Sequence, residues 1–112
     1  MHELTLKLRE FAKERDWDQF HSPKNLSMAL SVEVSEIVEH FQWATEKDSL
    51  QPNHQKLAQI KEEIGDAQIY LARLADKLGI DPIDAAKQKL EKNKEKYPVE
   101  LVKGKSKKYN EY

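Results

Sequence analysis

The chain contains no cysteine. That excludes disulfides and thiolate-held metal, and it fits a reducing cytoplasm. Glycine occurs only at Gly65, Gly79 and Gly104, and no stretch alternates apolar and polar residues as a half-buried strand does. No apolar run nears the roughly 18–20 residues of a membrane span. The opening "MHELTLKLRE" is too charged for a secretory signal. An excess of one charge is also missing. Lys plus Arg number 19 and Asp plus Glu 20, a formal net charge of −1, so the molecule as a whole is no electrostatic trap for a nucleic acid polymer. The expectation is a cytoplasmic protein without membrane or nucleic-acid partners.

What remains is helix-forming sequence. A chain of 112 residues suits one small domain. Hydrophobic residues make 38% and charged residues 35%, which leaves a modest core for a lone monomer and makes a homo-oligomer attractive. Helical spacing predicts four segments. The first runs from about His2 to Arg15, with Leu4, Leu8 and Phe11 on one side. Ser22-Pro23 is an N-cap followed by proline at the first helical position, opening a second helix to about Thr45. "EKDSLQPNH" reads as a polar loop. The third helix spans about His54 to Leu78 and stops at Gly79. Asp81-Pro82 repeats the cap-plus-proline start, and the fourth helix runs to about Lys96. Short connections between antiparallel neighbours give an all-α four-helix bundle. Residues 1–97 form the domain and 98–112 a basic tail.

Helices two and three share a pattern. Leu30, Val34, Ile37, Phe41 and Ala44 make an apolar stripe, and Ile60, Ile64, Ala67, Leu71 and Leu74 repeat it. The same shift carries Glu33 to Glu63, Glu36 to Asp66 and His40 to Tyr70. Each acidic pair is spaced i, i+3, so both its carboxylates share one side of one helix. Packing the stripes together brings four carboxylates toward one point, where protons or cations must neutralise them. Oxygen-only ligation suits Mg²⁺ or Mn²⁺. A di-iron bundle normally uses Glu-x-x-His pairs, and none is present. The competing reading is that the acids are solvated helix faces, as Glu39, Glu46 and Glu62 are expected to be, on a non-enzymatic helical interaction module.

At these residues the sequence resembles a family. "EVSE" and "EIGD" are similar to the paired acidic motif of the MazG-like, all-α nucleoside triphosphate pyrophosphohydrolases. "FAKERDWDQFHSPKNL", "EVSEIVEHFQW", "EEIGDAQIYL" and "NKEKYP" resemble the dCTP pyrophosphatase branch, and the similarity continues through "SKKY". Some MazG relatives carry a double glutamate at the first pair, whereas Val32 precedes Glu33 here. The resemblance implies cleavage of a nucleoside triphosphate to monophosphate and pyrophosphate with Mg²⁺, dCTP being the first expected substrate. It implies a role in clearing unwanted nucleotides, and a homotetramer. It makes Glu33, Glu36, Glu63 and Asp66 the expected metal ligands and catalytic residues.

Other groups must hold the base. Trp17, Phe20, Trp43 and Tyr70 offer π faces for stacking. Tyr70 lies one turn beyond Asp66, and Trp43 lies seven residues beyond Glu36, each on its acidic flank. The resemblance places Trp17 and His21 in a loop that closes over nucleotide. Aromatics at helical spacing are otherwise core, which is the expectation for Phe11 and Phe41. His21 contacts substrate or merely bonds backbone, and His40 is a flank residue. Asn93 falls in the stripe formed by Ile83, Ala86, Leu90 and Tyr97. A buried amide needs partners: it fixes helix register, or, as the resemblance implies, reaches the nucleotide. Lys103, Lys105, Lys107 and Lys108 either screen phosphates or are solvated.

Overall fold

A computed structural model describes residues 2–104. Every regular element among the described residues is helical, as the spacing predicts: α1 His2–Glu14, a single 3-10 turn Asp18–Phe20, α2 Pro23–Glu39, α3 Glu46–Ser49, α4 His54–Lys77, α5 Pro82–Lys96 and α6 Val99–Val102. Lys105, Lys107, Lys108 and the "SKKY" stretch lie outside the described residues.

Local chemistry sets the ends. The Ser22 hydroxyl accepts from the Asn25 amide at 3.1 Å, with Pro23 in the first turn. The Asn53 side chain accepts from the Lys56 amide at 2.8 Å, and Asp81 accepts from Ile83 at 2.9 Å and Asp84 at 3.2 Å. Each cap satisfies donors that a helix start leaves without partners. At the end of α4, Gly79 has φ +67. The Gly79 amide bonds the Asp76 carbonyl at 3.1 Å and the Ile80 amide the Ala75 carbonyl at 2.9 Å, the Schellman arrangement. The end of α1 repeats it with Asp16 at φ 53, the Asp16 amide on Lys13 and the Trp17 amide on Ala12 at 2.9 Å. A non-glycine residue pays about 1–2 kcal/mol for that conformation. The turn brings Trp17 back over α1, edge-on to Phe11 with ring centroids 5.6 Å apart.

α2 stops at Glu39, short of the expected Thr45. The Thr45 hydroxyl instead accepts from the Asp48 amide at 3.1 Å. Its own backbone is extended, so the chain must leave the helix before it. The one-turn helix that follows occupies part of the expected loop.

The described residues fall into two compact units, divided between Ile80 and Asp81. In the first, α2 packs along α4 as the main interface, and α1 makes a lesser one with α4. Among the described residues the buried apolar side chains are Ala12, Leu26, Ile60, Ala72 and Ala75. Much of the paired stripe is only half covered: Val34 is 46% exposed and Ile64 54%. Phe11, expected in the core, is 45% exposed. The second unit contains α5 and α6; in it Asn93 is half-buried and its carbonyl accepts from the Tyr97 amide at 2.9 Å.

Candidate active site

The α2–α4 interface brings the two acidic pairs together. Glu33 and Glu36 lie on α2, Glu63 and Asp66 on α4. The Glu33 carboxyl is pushed above its ordinary range, first by burial, then by contact with Glu36 and by repulsion from Glu36, Asp66 and Glu63. All three other acids are therefore close enough to act on it. Oε2 of Glu33 and Oε2 of Glu63 are buried without a hydrogen bond. The His40 Nε2 stands 2.6 Å from that Glu63 oxygen, but outside hydrogen-bonding geometry. Among the described residues no group of three or more His, Asp or Glu side chains is placed to hold a metal ion.

Beside them lies a cavity of about 230 Å³, lined by Phe11, Trp17, His21, Asp66, Tyr70 and Arg73 among others. Three predicted base-holding residues, Trp17, His21 and Tyr70, thus share one wall system. Asp66 belongs both to this cavity and to the acidic cluster, joining an aromatic compartment to an anionic one. Phe11 also lines the space, under Trp17, which explains its exposure. Phe20 is 60% exposed and Trp43 90%, and neither lines the cavity. Asn93 belongs to the second unit.

These observations meet the comparisons with known proteins. A MazG-like family model matches residues 28–112. The chain belongs to the MazG-like family. The dCTP pyrophosphatase 1 of Mus musculus is 42% identical over 107 residues, covering 91% of this chain and 61% of that protein. The Homo sapiens dCTP pyrophosphatase 1 gives the same identity and coverages of 91% and 61%. The chain therefore spans 61% of the length of these curated relatives. A solved pyrophosphatase from Archaeoglobus fulgidus superposes with a TM-score of 0.82 at 43% identity, covering 88% of this chain and 92% of that one.

In this MazG-like chain the one cationic side chain among the described residues that line the cavity escaped the sequence reading. Arg73 is 4% exposed. Its Nη2 donates to Asp18 Oδ1 at 2.9 Å, its Nη1 lies 3.5 Å from Asp76 Oδ2, and its Nε is 3.4 Å from His21 Nδ1. A buried guanidinium is tolerated only when paired and hydrogen-bonded. Asp18 and Asp76 supply the pairing. Lys77 adds a second cation to Asp18 at 2.6 Å, and the two cations hold the Asp18 carboxyl below its usual range. The available signal was spacing: Asp66, Tyr70 and Arg73 recur at i, i+4, i+7, one face of α4.

Proposed function

We propose that this MazG-like chain is a nucleoside triphosphate pyrophosphohydrolase, acting on dCTP or a related deoxynucleotide. The observation that carries this is the sharing of Asp66 between a carboxylate cluster and an aromatic cavity. A nucleotide has the same polarity, a flat π-rich base at one end and a polyanion at the other. Relatives named dCTP pyrophosphatase 1 support the choice of base, and relatives named pyrophosphatase support the bond cleaved.

The donor set of the acidic cluster suits a divalent cation. Oε2 of Glu33 is buried without a hydrogen bond and is costly as it stands, Oε2 of Glu63 has only the His40 ring nearby, and hard cations prefer oxygen ligands. Glu33, Glu36, Glu63 and Asp66 would hold Mg²⁺, or Mn²⁺ in its place. When bound, the cation supplies positive charge to the phosphate oxygens and the leaving pyrophosphate. The protein's own groups do the rest. Trp17 and Tyr70 hold the base by its faces. One of Glu33, Glu36 or Glu63 orients the attacking water. Water adds at phosphorus, the bridging bond between the α- and β-phosphates breaks, and monophosphate and pyrophosphate leave. Positioning and electrostatics suffice, so no nucleophilic side chain is needed.

The working form is a homo-oligomer, a tetramer in this reading. Few apolar side chains are buried, while Trp43, Val32 and Val38 stand more than half exposed. Such a surface favours association. Among the described residues no helix is long and apolar enough to cross a membrane, which suits a cytoplasmic nucleotide pool.

A panel of ribo- and deoxynucleoside triphosphates, assayed with Mg²⁺ for pyrophosphate and monophosphate, tests the proposal. dCTP or a close analogue is expected to react fastest. Absence of turnover across the panel, with no Mg²⁺ binding by calorimetry, would reject it in favour of a helical interaction module with solvated acids.

A further inference from the structure

The contact between Arg73 and His21 decides more than the shape of the cavity. Arginine has only donors and stays protonated at any working pH. Its Nε lies 3.4 Å and its Nη2 3.3 Å from the same ring nitrogen, Nδ1 of His21. A nitrogen that faces two such donors must present its lone pair. The proton of a neutral imidazole then resides on Nε2. Around the ring, Arg73 and Lys77 come from α4, Asp18 comes from the 3-10 turn, and Asp66 and Tyr70 share the cavity. Burial, then the Arg73 and Lys77 charges, push the His21 pKa down, with Asp18 opposing. Neutral imidazole is thus the form that geometry and charge both favour.

The same guanidinium anchors the turn that carries the ring. It bonds Asp18, fifty-five residues away in sequence, at the start of the turn between Trp17 and His21. Held at both ends of that turn, His21 is fixed in place as well as in tautomer.

We propose that Arg73 is a positioning residue that locks His21 as the Nε2–H tautomer, so that the cavity offers a hydrogen-bond donor to an acceptor atom of the nucleobase, a carbonyl oxygen or bare ring nitrogen. This rests on the nucleotide reading above. A donor locked in this way rewards any base edge with a lone pair at that point. It penalises one that presents an N–H there, because two donors would then face each other in a confined site.

The test is ¹⁵N NMR of the histidine rings in the full chain without ligand at neutral pH, with His21→Gln used to identify the His21 signals. The expected spectrum shows a bare Nδ1 and a protonated Nε2. Arg73→Lys keeps the charge but loses the fork. It should give a mixture of tautomers, raise KM for the preferred nucleotide about tenfold and leave kcat within about threefold, since the contact serves binding. A wild-type ring protonated at Nδ1, or an imidazolium, overturns the proposal without any variant having to fold. A folded Arg73→Lys protein with unchanged tautomer and KM overturns it too. A wild type that has the expected tautomer but binds and hydrolyses no nucleotide overturns the base contact together with the proposed function. One that hydrolyses dCTP with the other tautomer overturns this inference alone.

Discussion

Arg9 grips Asp76 through two hydrogen bonds, Nε to Oδ2 at 2.8 Å and Nη2 to Oδ1 at 2.5 Å. The pair ties α1 to α4 across sixty-seven residues of sequence. It matters to the site because Phe11 and Trp17, at the end of α1 and just beyond it, wall the cavity whose floor is α4. The same Asp76 also faces buried Arg73.

Asp76→Asn should therefore cost about 2 kcal/mol of stability, because it weakens the grip on Arg9 and leaves Arg73 with Asp18 as its counter-charge. Lys94→Ala, which breaks a pair with Glu91 that is 63% and 70% exposed, should cost less than about 0.5 kcal/mol. Urea midpoints at unchanged m-value measure both. Equal losses would show that burial around Asp76 has no energetic weight.

Glu33→Gln should raise the melting temperature of the metal-free protein at neutral pH while abolishing most turnover. One wild-type carboxylate oxygen is buried and three other acids repel the charged group, and glutamine removes the repulsion at nearly constant shape. Thermal melts with chelator present read the first effect and pyrophosphate release the second. A lower melting temperature for the variant would mean that Glu33 is solvated.

The dependence on pH follows from opposite shifts. The folded-state pKa of Glu33 lies above its unfolded value, so the native state holds that proton more tightly. Its destabilising effect is present above the folded pKa and fades as the pH falls through it. Asp18 and Asp76 are held below their ordinary values, Asp76 chiefly by its bond to Arg9. Their stabilisation is present above the usual carboxylate range and is lost as the pH falls through their lowered values. Metal-free protein should lose stability on the acidic side through Asp18, Asp76 and His21, whose lowered pKa disfavours protonation of the folded state, and on the neutral side through Glu33. Melting temperature against pH shows it, and Glu33→Gln should flatten the neutral side of the curve only.

Glu63→Gln should weaken Mg²⁺ binding in calorimetry and cut turnover more than about 100-fold, with helical content by circular dichroism retained. A variant that hydrolyses dNTPs normally would remove Glu63 from the site.

Trp43 lies outside the single chain's cavity, so Trp43→Ala should weaken the proposed homo-oligomer before it changes KM. Trp43 is 90% exposed on the single chain, so light scattering of the variant is the companion measurement. An unchanged oligomer with a raised KM would place Trp43 against the base instead.

The features legible beforehand were those written in neighbouring residues. Ser22-Pro23, Asp81-Pro82 and Gly79 mark helix ends because their caps use atoms two to five positions away. The acidic pairs were legible because helical spacing alone puts Glu33 with Glu36 and Glu63 with Asp66. Thr45 was missed as a cap because the apolar stripe continues to Ala44, and stripe and cap compete for the same residues.

The sequence by itself determined an all-helical chain with two acidic pairs in matching phase, since a helix makes neighbours of residues three and four apart whatever surrounds it. Only the tertiary structure decided that Arg73 is buried between Asp18 and His21, that Asp66 serves two compartments, and that Phe20 and Trp43 stay outside the cavity. Those outcomes depend on which helices meet and on what each contact removes from water, and the partners of Arg73 lie fifty or more residues away along the chain.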